Sequence, residues 1–121
     1  MQDIKDLLHL WTETIKTKSP EKVAKLYNKN AILLPTLSNK VRTTPSSIQA
    51  YFVQFLAKSP KCTVNECHSR KVSDNIVINS GIYTFKLDPD QTAGARFTFV
   101  YKQNEENEWE IIEHHSSLLP E

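Results

Sequence analysis

Near its C-terminus the sequence reads EHHSSLLPE, Glu113 to Glu121, with two imidazoles followed by two hydroxyls. Imidazole is the side chain that exchanges protons near neutral pH, and a hydroxyl both donates and accepts a hydrogen bond. Together they suit acid–base work on a small polar substrate. In a strand successive side chains alternate faces, so His114 and Ser116 point one way while His115 and Ser117 point the other. Two adjacent histidines therefore cannot serve one site. Trp109 is the residue most expected inside, and a period of two places Ile111, Glu113, His115 and Ser117 on its side unless a bulge shifts the register. The expectation is a cavity-facing pair, His115 and Ser117, with His114 and Ser116 turned toward a neighbouring subunit.

Other hydroxyls converge on the same region. Ile48, Tyr51, Phe52, Phe55 and Leu56 recur at helical spacing, so the Tyr51 ring is buried and its OH needs a partner inside. Thr36 follows Leu33-Leu34-Pro35 at the end of a short apolar run. Thr36, Tyr51 and Ser117 around an apolar hollow lined by Phe52 and Phe55 would hold a small oxyanion, with His115 as proton shuttle. Arg96, on the face opposite Phe97 and Phe99, is a cation that would attract it. Each residue also has a plainer role. Tyr51 and His115 would serve as core groups with satisfied polar atoms, Thr36 as a strand terminator, Arg96 as an edge charge and the serine pair as a local turn.

A zinc site built on histidine would need His115 with two of His9, His68 and His114. The last points to the other face, and His9 falls off the apolar stripe of its helix. Glu113 could add a ligand, so the expectation is no metal, with zinc or manganese as the alternative. Cys62 and Cys67 lie five residues apart on a predicted strand, ~16 Å along it and on opposite faces, too far for a disulfide.

The elements that must position these groups are legible. Ile4, Leu7, Leu8, Trp11 and Ile15 mark an amphipathic helix over about 3–18. Ser19-Pro20 caps a second, PEKVAKLY, with Val23, Leu26 and Tyr27 inward, and AILLP follows as a strand. Thr44-Pro45 opens the aromatic helix after a polar loop over 36–43. From Lys61 onward come four β-branched and aromatic segments, KCTVNECHSRKV, NIVINSGIYTFKL, ARFTFVYKQ and EWEIIEHHSSLL, separated by turns. Helices followed by an antiparallel meander predict a single α+β domain over 1–121, a curved sheet with the helices on its concave face. Phe97, Phe99 and Tyr101 share one face of their strand and would form an apolar dimer surface. A net charge of +1, from 15 Lys and Arg against 14 Asp and Glu, gives no field to gather nucleic acid or an anionic membrane. No segment reads as a secretory signal or a membrane span, so a cytoplasmic location is expected.

This order of elements, with a tryptophan opening the last strand and His-x-Ser near its close, resembles the nuclear transport factor 2-like cone fold and, within it, the association domain of calmodulin-dependent protein kinase. The stretches LYNKNAILLPTLSNKVRTT, IQAYFVQFL, SGIYTFKL, ARFTFVYK and HHSSLLPE look like iota-class carbonic anhydrases. Their hallmark is a run of histidines, then Ser-Ser, then a closing proline, here His114 to Ser117 with Pro120. That class includes members with and without a metal, and the LLPTLS and YFVQFL stretches look like the metal-free branch. The resemblance implies reversible hydration of carbon dioxide to bicarbonate, with Thr36, Tyr51, His115 and Ser117 catalytic. Phe52, Phe55, Arg96, His114 and Ser116 would then contact substrate, and the protein would form a homodimer or larger homo-oligomer. Two other functions share the fold: a non-catalytic association hub, and an isomerase or cyclase acting on a ring through a buried acid such as Glu113.

Overall fold

The computed structural model describes Ile4 and residues 6–120. Helix α1, Asp6–Ile15, turns Leu7, Leu8, Trp11 and Ile15 inward; residues 3 and 5 of the predicted helix lie outside the described residues. Helix α2, Pro20–Ala24, is capped by the Ser19 hydroxyl, which accepts from the Lys22 N–H at 3.3 Å. It is shorter than predicted. The Leu26 carbonyl accepts from Ile111 N–H at 2.9 Å, so the backbone has already joined the sheet and Tyr27 opens strand β1, Tyr27–Leu34. Helix α3, Pro45–Leu56, starts at a reciprocal cap between Thr44 and Ser47 and buries the five residues that the spacing selects.

Strands β2 (Lys61–Ser73), β3 (Ile76–Leu87), β4 (Gln91–Gln103) and β5 (Trp109–Leu118) form the meander, and β1 closes the sheet in the order β1-β5-β4-β3-β2. The predicted α+β architecture is present. Three strand pairs are antiparallel, and the fourth, β1 with β5, is parallel. The aromatic helix and α1 cover the inner face, where Val77, Tyr83, Phe85, Phe97, Phe99 and Tyr101 meet them. The proposed exposure of Phe97, Phe99 and Tyr101 is therefore corrected. All three are core, and Phe99 is fully buried.

Two bulges decide which side chains enter that core. In β5, Val100 pairs with Glu113 but its neighbour Tyr101 pairs with Ile111, so Ile112 is an extra residue. One inserted residue exchanges faces for everything after it. In β2 the register slips between Val64 and Glu66, which brings Cys67, opposite Gly81, onto the same inner face as Cys62, opposite Phe85. The expectation of opposite faces fails for that reason. Both cysteines are free thiols packed against the core, and burial pushes the Cys62 thiol up to about 12. Gly81 is required beside this bulge: a Cβ there would lie 2.0 Å from the Glu66 carbonyl oxygen, so only hydrogen fits.

Candidate functional site

Where α1, α3 and the ends of β1, β3 and β5 meet, a hollow remains. Leu33, Phe52, Phe55 and Phe85 form its apolar wall. Thr36, Tyr51, Tyr83, His114 and Ser116 form its polar wall. Its cavity volume is only about 10 Å³, the lower limit for holding a single water molecule. A larger depression beside the Asn104–Glu108 turn is open to solvent and lined by scattered Asn, Lys and Glu side chains. None of its lining residues is buried.

The polar wall is one connected network. Trp11 Nε1–H donates to the Tyr27 hydroxyl at 3.1 Å, which bonds His114 Nδ1 at 2.8 Å. His114 Nε2 lies 3.2 Å from the Tyr83 hydroxyl, and Tyr83 donates to Ser116 Oγ at 2.6 Å. Ser116 in turn bonds Thr36 Oγ1. Tyr51 donates to the Thr36 backbone carbonyl at 2.9 Å. His114 also stacks on Phe99, with ring centroids 3.8 Å apart.

Burial controls the protonation of this set, because a charge loses more solvation than these neutral partners return. His114 is pulled down to about 3, first by burial and second by the nearby His115. At neutral pH it is an uncharged hydrogen-bond bridge. Burial raises the Tyr51 phenol, while the Arg42 cation works against that rise. Tyr27 and Tyr83 are raised by burial as well, opposed by their bonds from Trp11 and to Ser116 respectively.

Of the residues singled out by sequence, Thr36, Tyr51, Phe52 and Phe55 line the hollow as expected in position. The histidine and serine pairs are inverted: His114 and Ser116 are 3 % and 5 % exposed and line it, whereas His115 and Ser117 are exposed. The Ile112 bulge is the cause. Glu113 turns outward with them, and Arg96 is exposed beside Ser117. His115 and Ser117 instead line a shallow outer groove that also touches Thr36 and Ser116, so the Thr36–Ser116 pair is the wall between groove and hollow.

Four participants escaped the reading of the sequence. Trp11 and Tyr27 were placed inward, but nothing in the spacing matched their polar atoms to a histidine 87 residues from Tyr27. Tyr83 alternates with Thr84 and shares its face with Phe85, a signal that was available. Arg42 lies 5.7 Å over the Tyr51 ring and donates to the Ser47 carbonyl at 3.3 Å. It is placed by a two-way backbone bridge with Leu33, and its buried Nε has no partner among the described residues.

Among the described residues no three His, Cys, Asp or Glu converge, and both nitrogens of His114 are engaged by tyrosines. His9 and His68 are exposed and paired with Glu13 and Glu66. Among the described residues no helix is long and apolar enough to cross a membrane.

Known proteins share this frame. A structure from Xanthomonas campestris, described as a calcium/calmodulin dependent protein kinase II association domain, is 40% identical. The match covers 98% of this chain and 86% of that one, with a TM-score of 0.93. A ketosteroid isomerase-like protein from Erwinia carotovora atroseptica is 9% identical over 98% of this chain and 95% of its own, with a TM-score of 0.80. A protein from Pseudomonas putida of the nuclear transport factor 2-like type is 13% identical over 94% and 82%, with a TM-score of 0.81. These two likenesses establish the cone fold. No curated protein matches. The family model for the calcium/calmodulin dependent protein kinase II association domain matches residues 1–120, and the chain belongs to that family.

Proposed function

We propose that the hollow hydrates carbon dioxide reversibly, using hydroxyls in place of a metal. The observation that carries this reading is the buried, mutually bonded set Thr36, Tyr51, Tyr83, His114 and Ser116 around a water-sized hollow. Hydration needs a water held against an electrophilic carbon and donors aimed at the oxygens as charge develops. The Tyr51 proton is committed to the Thr36 carbonyl, so its oxygen offers lone pairs to a water. The hollow at its present size holds the water alone, so the apolar gas enters as Phe52 and Phe55 give way, and the one free hydroxyl hydrogen of the Thr36–Ser116 pair meets its oxygens. The new C–O bond forms as the water gives up a proton, which crosses the Thr36–Ser116 wall to His115 in the outer groove and then to solvent. Arg42, not Arg96, is the cation near the Tyr51 end of the site.

Purified protein freed of metal by exhaustive chelation should accelerate hydration in a stopped-flow indicator assay, and added zinc or manganese should change the rate by less than about twofold, a ratio small on the energetic scale of catalysis. Activity that disappears with the metal and returns with it contradicts the hydroxyl mechanism.

A second reading, association through the sheet, is favoured by the family match and by the outer sheet face. There Ile78 pairs with Val100 beside Ile112, and Ile82 lies further along the same face of β3 beyond Ser80; all four are half-buried, apolar side chains of the kind that dimers cover. Light scattering should give an oligomer for the wild type and a smaller species for Ile82→Asp. An unchanged mass for the variant would move the interface elsewhere. The two readings are compatible, since one uses the inside of the cone and the other its outside. The shared fold also speaks for an isomerase. Among the described residues, however, no carboxylate lines the hollow, and its size favours the smaller substrate.

A further inference from the structure

We propose that Tyr27, with Trp11 behind it, locks His114 as the Nε2–H tautomer and so sets the direction of the hydrogen bond from His114 to Tyr83 at the hollow. An indole N–H can only donate. Trp11 therefore fills one lone pair of the Tyr27 oxygen, at 3.1 Å. The Tyr27 proton is buried, and the acceptor that faces it is His114 Nδ1, at 2.8 Å. If Nδ1 carried the hydrogen instead, Tyr27 would receive two donors and keep a buried proton with nowhere to go, which is costly because that group has lost its water. Nδ1 is thus the acceptor, and the hydrogen of the neutral ring lies on Nε2.

The consequence passes along the chain. Nε2–H donates to Tyr83 across 3.2 Å, and Tyr83 donates to Ser116 across 2.6 Å. Ser116 Oγ keeps a second lone pair and its own hydrogen, so in its bond with Thr36 Oγ1 either hydroxyl can donate. The Tyr51 proton is held by the Thr36 carbonyl. One hydroxyl hydrogen of the Thr36–Ser116 pair is then left uncommitted by the bonds among the described residues, and both residues border hollow and groove. Tyr27 and Trp11 are positioning residues: they touch no substrate and act through His114. The proton inventory stands on hydrogen bonding alone, and only its use in donating to a substrate oxygen rests on the hydration reading above.

Histidine labelled with ¹⁵N distinguishes the tautomers, because a protonated and an unprotonated ring nitrogen resonate far apart and couple differently to the ring hydrogens. At neutral pH the wild type should show His114 as a single neutral form with the hydrogen on Nε2. Tyr27→Phe removes the donor to Nδ1 and should add a second set of signals from the Nδ1–H form, while Tyr51→Phe should leave the pattern unchanged. Nδ1–H or a mixture in the wild type overturns the proposal, and so does a pattern unaltered in Tyr27→Phe. The wild-type spectrum decides the matter even if that variant does not fold. A protein with the Nε2–H form and no hydration activity would sink the functional reading and leave this one standing.

Discussion

Ser116→Ala is expected to lower carbon dioxide hydration by about two to three orders of magnitude, while Ser117→Ala stays within about twofold of wild type. The two serines are adjacent and chemically identical, so the contrast isolates which face of β5 holds the chemistry. Ser116 receives the Tyr83 proton and bonds Thr36; replacing it by alanine leaves Tyr83 without its acceptor and removes one hydroxyl from the polar wall. Ser117 pairs opposite Arg96 on the outside and is exposed. Its loss takes nothing from the hollow. Stopped-flow rates for the two variants and for Tyr51→Phe, which removes the acceptor offered to water, give the ranking. Equal rates in Ser116→Ala and wild type would remove the inner hydroxyls from the mechanism, and a collapse in Ser117→Ala alone would move it to the groove.

Acid should unfold the protein through His114. In the unfolded chain this imidazole binds a proton near 6.5, whereas in the fold burial holds it down to about 3. Between those values the unfolded state carries the extra proton, so stability is full above the upper value and falls as pH falls toward the lower. The slope is at most ~1.4 kcal/mol per pH unit, and the whole window is worth roughly 4–5 kcal/mol. That is a large share of a small domain's stability. Urea unfolding at pH 7, 5 and 4 should give a steeper loss for the wild type than for His114→Gln, whose side chain does not titrate. Parallel loss in the two proteins would mean that His114 is not responsible.

Much of the frame was legible in the residues. The stripe on α3 and the Thr44-Pro45 start were enough to place Tyr51, Phe52 and Phe55, because helical spacing and capping act locally. Alternation along β4 was also read correctly as a division between Arg96 and the phenylalanines. Which of those faces was core was not, since period two has no sign of its own until a helix covers one side. The inversion of His115 and Ser117 with His114 and Ser116 has a different origin. A bulge is set by how β5 must bend to pair with both β1 and β4, which is a tertiary requirement, and one residue at Ile112 sufficed to exchange every later side chain. The same event at Asn65 moved Cys67. Tyr27 was read as the end of a helix because the local sequence permits it; the sheet claimed its backbone instead.

The most direct test of the central claim is exchange between ¹³C-labelled carbon dioxide and bicarbonate, followed by NMR at equilibrium with chelator-treated protein. Wild type should exchange the two far faster than buffer alone, and Ser116→Ala should return the exchange to near the buffer rate. Wild-type exchange no faster than buffer, or an equal rate in both proteins, would contradict a carbon dioxide site built from the inward hydroxyls.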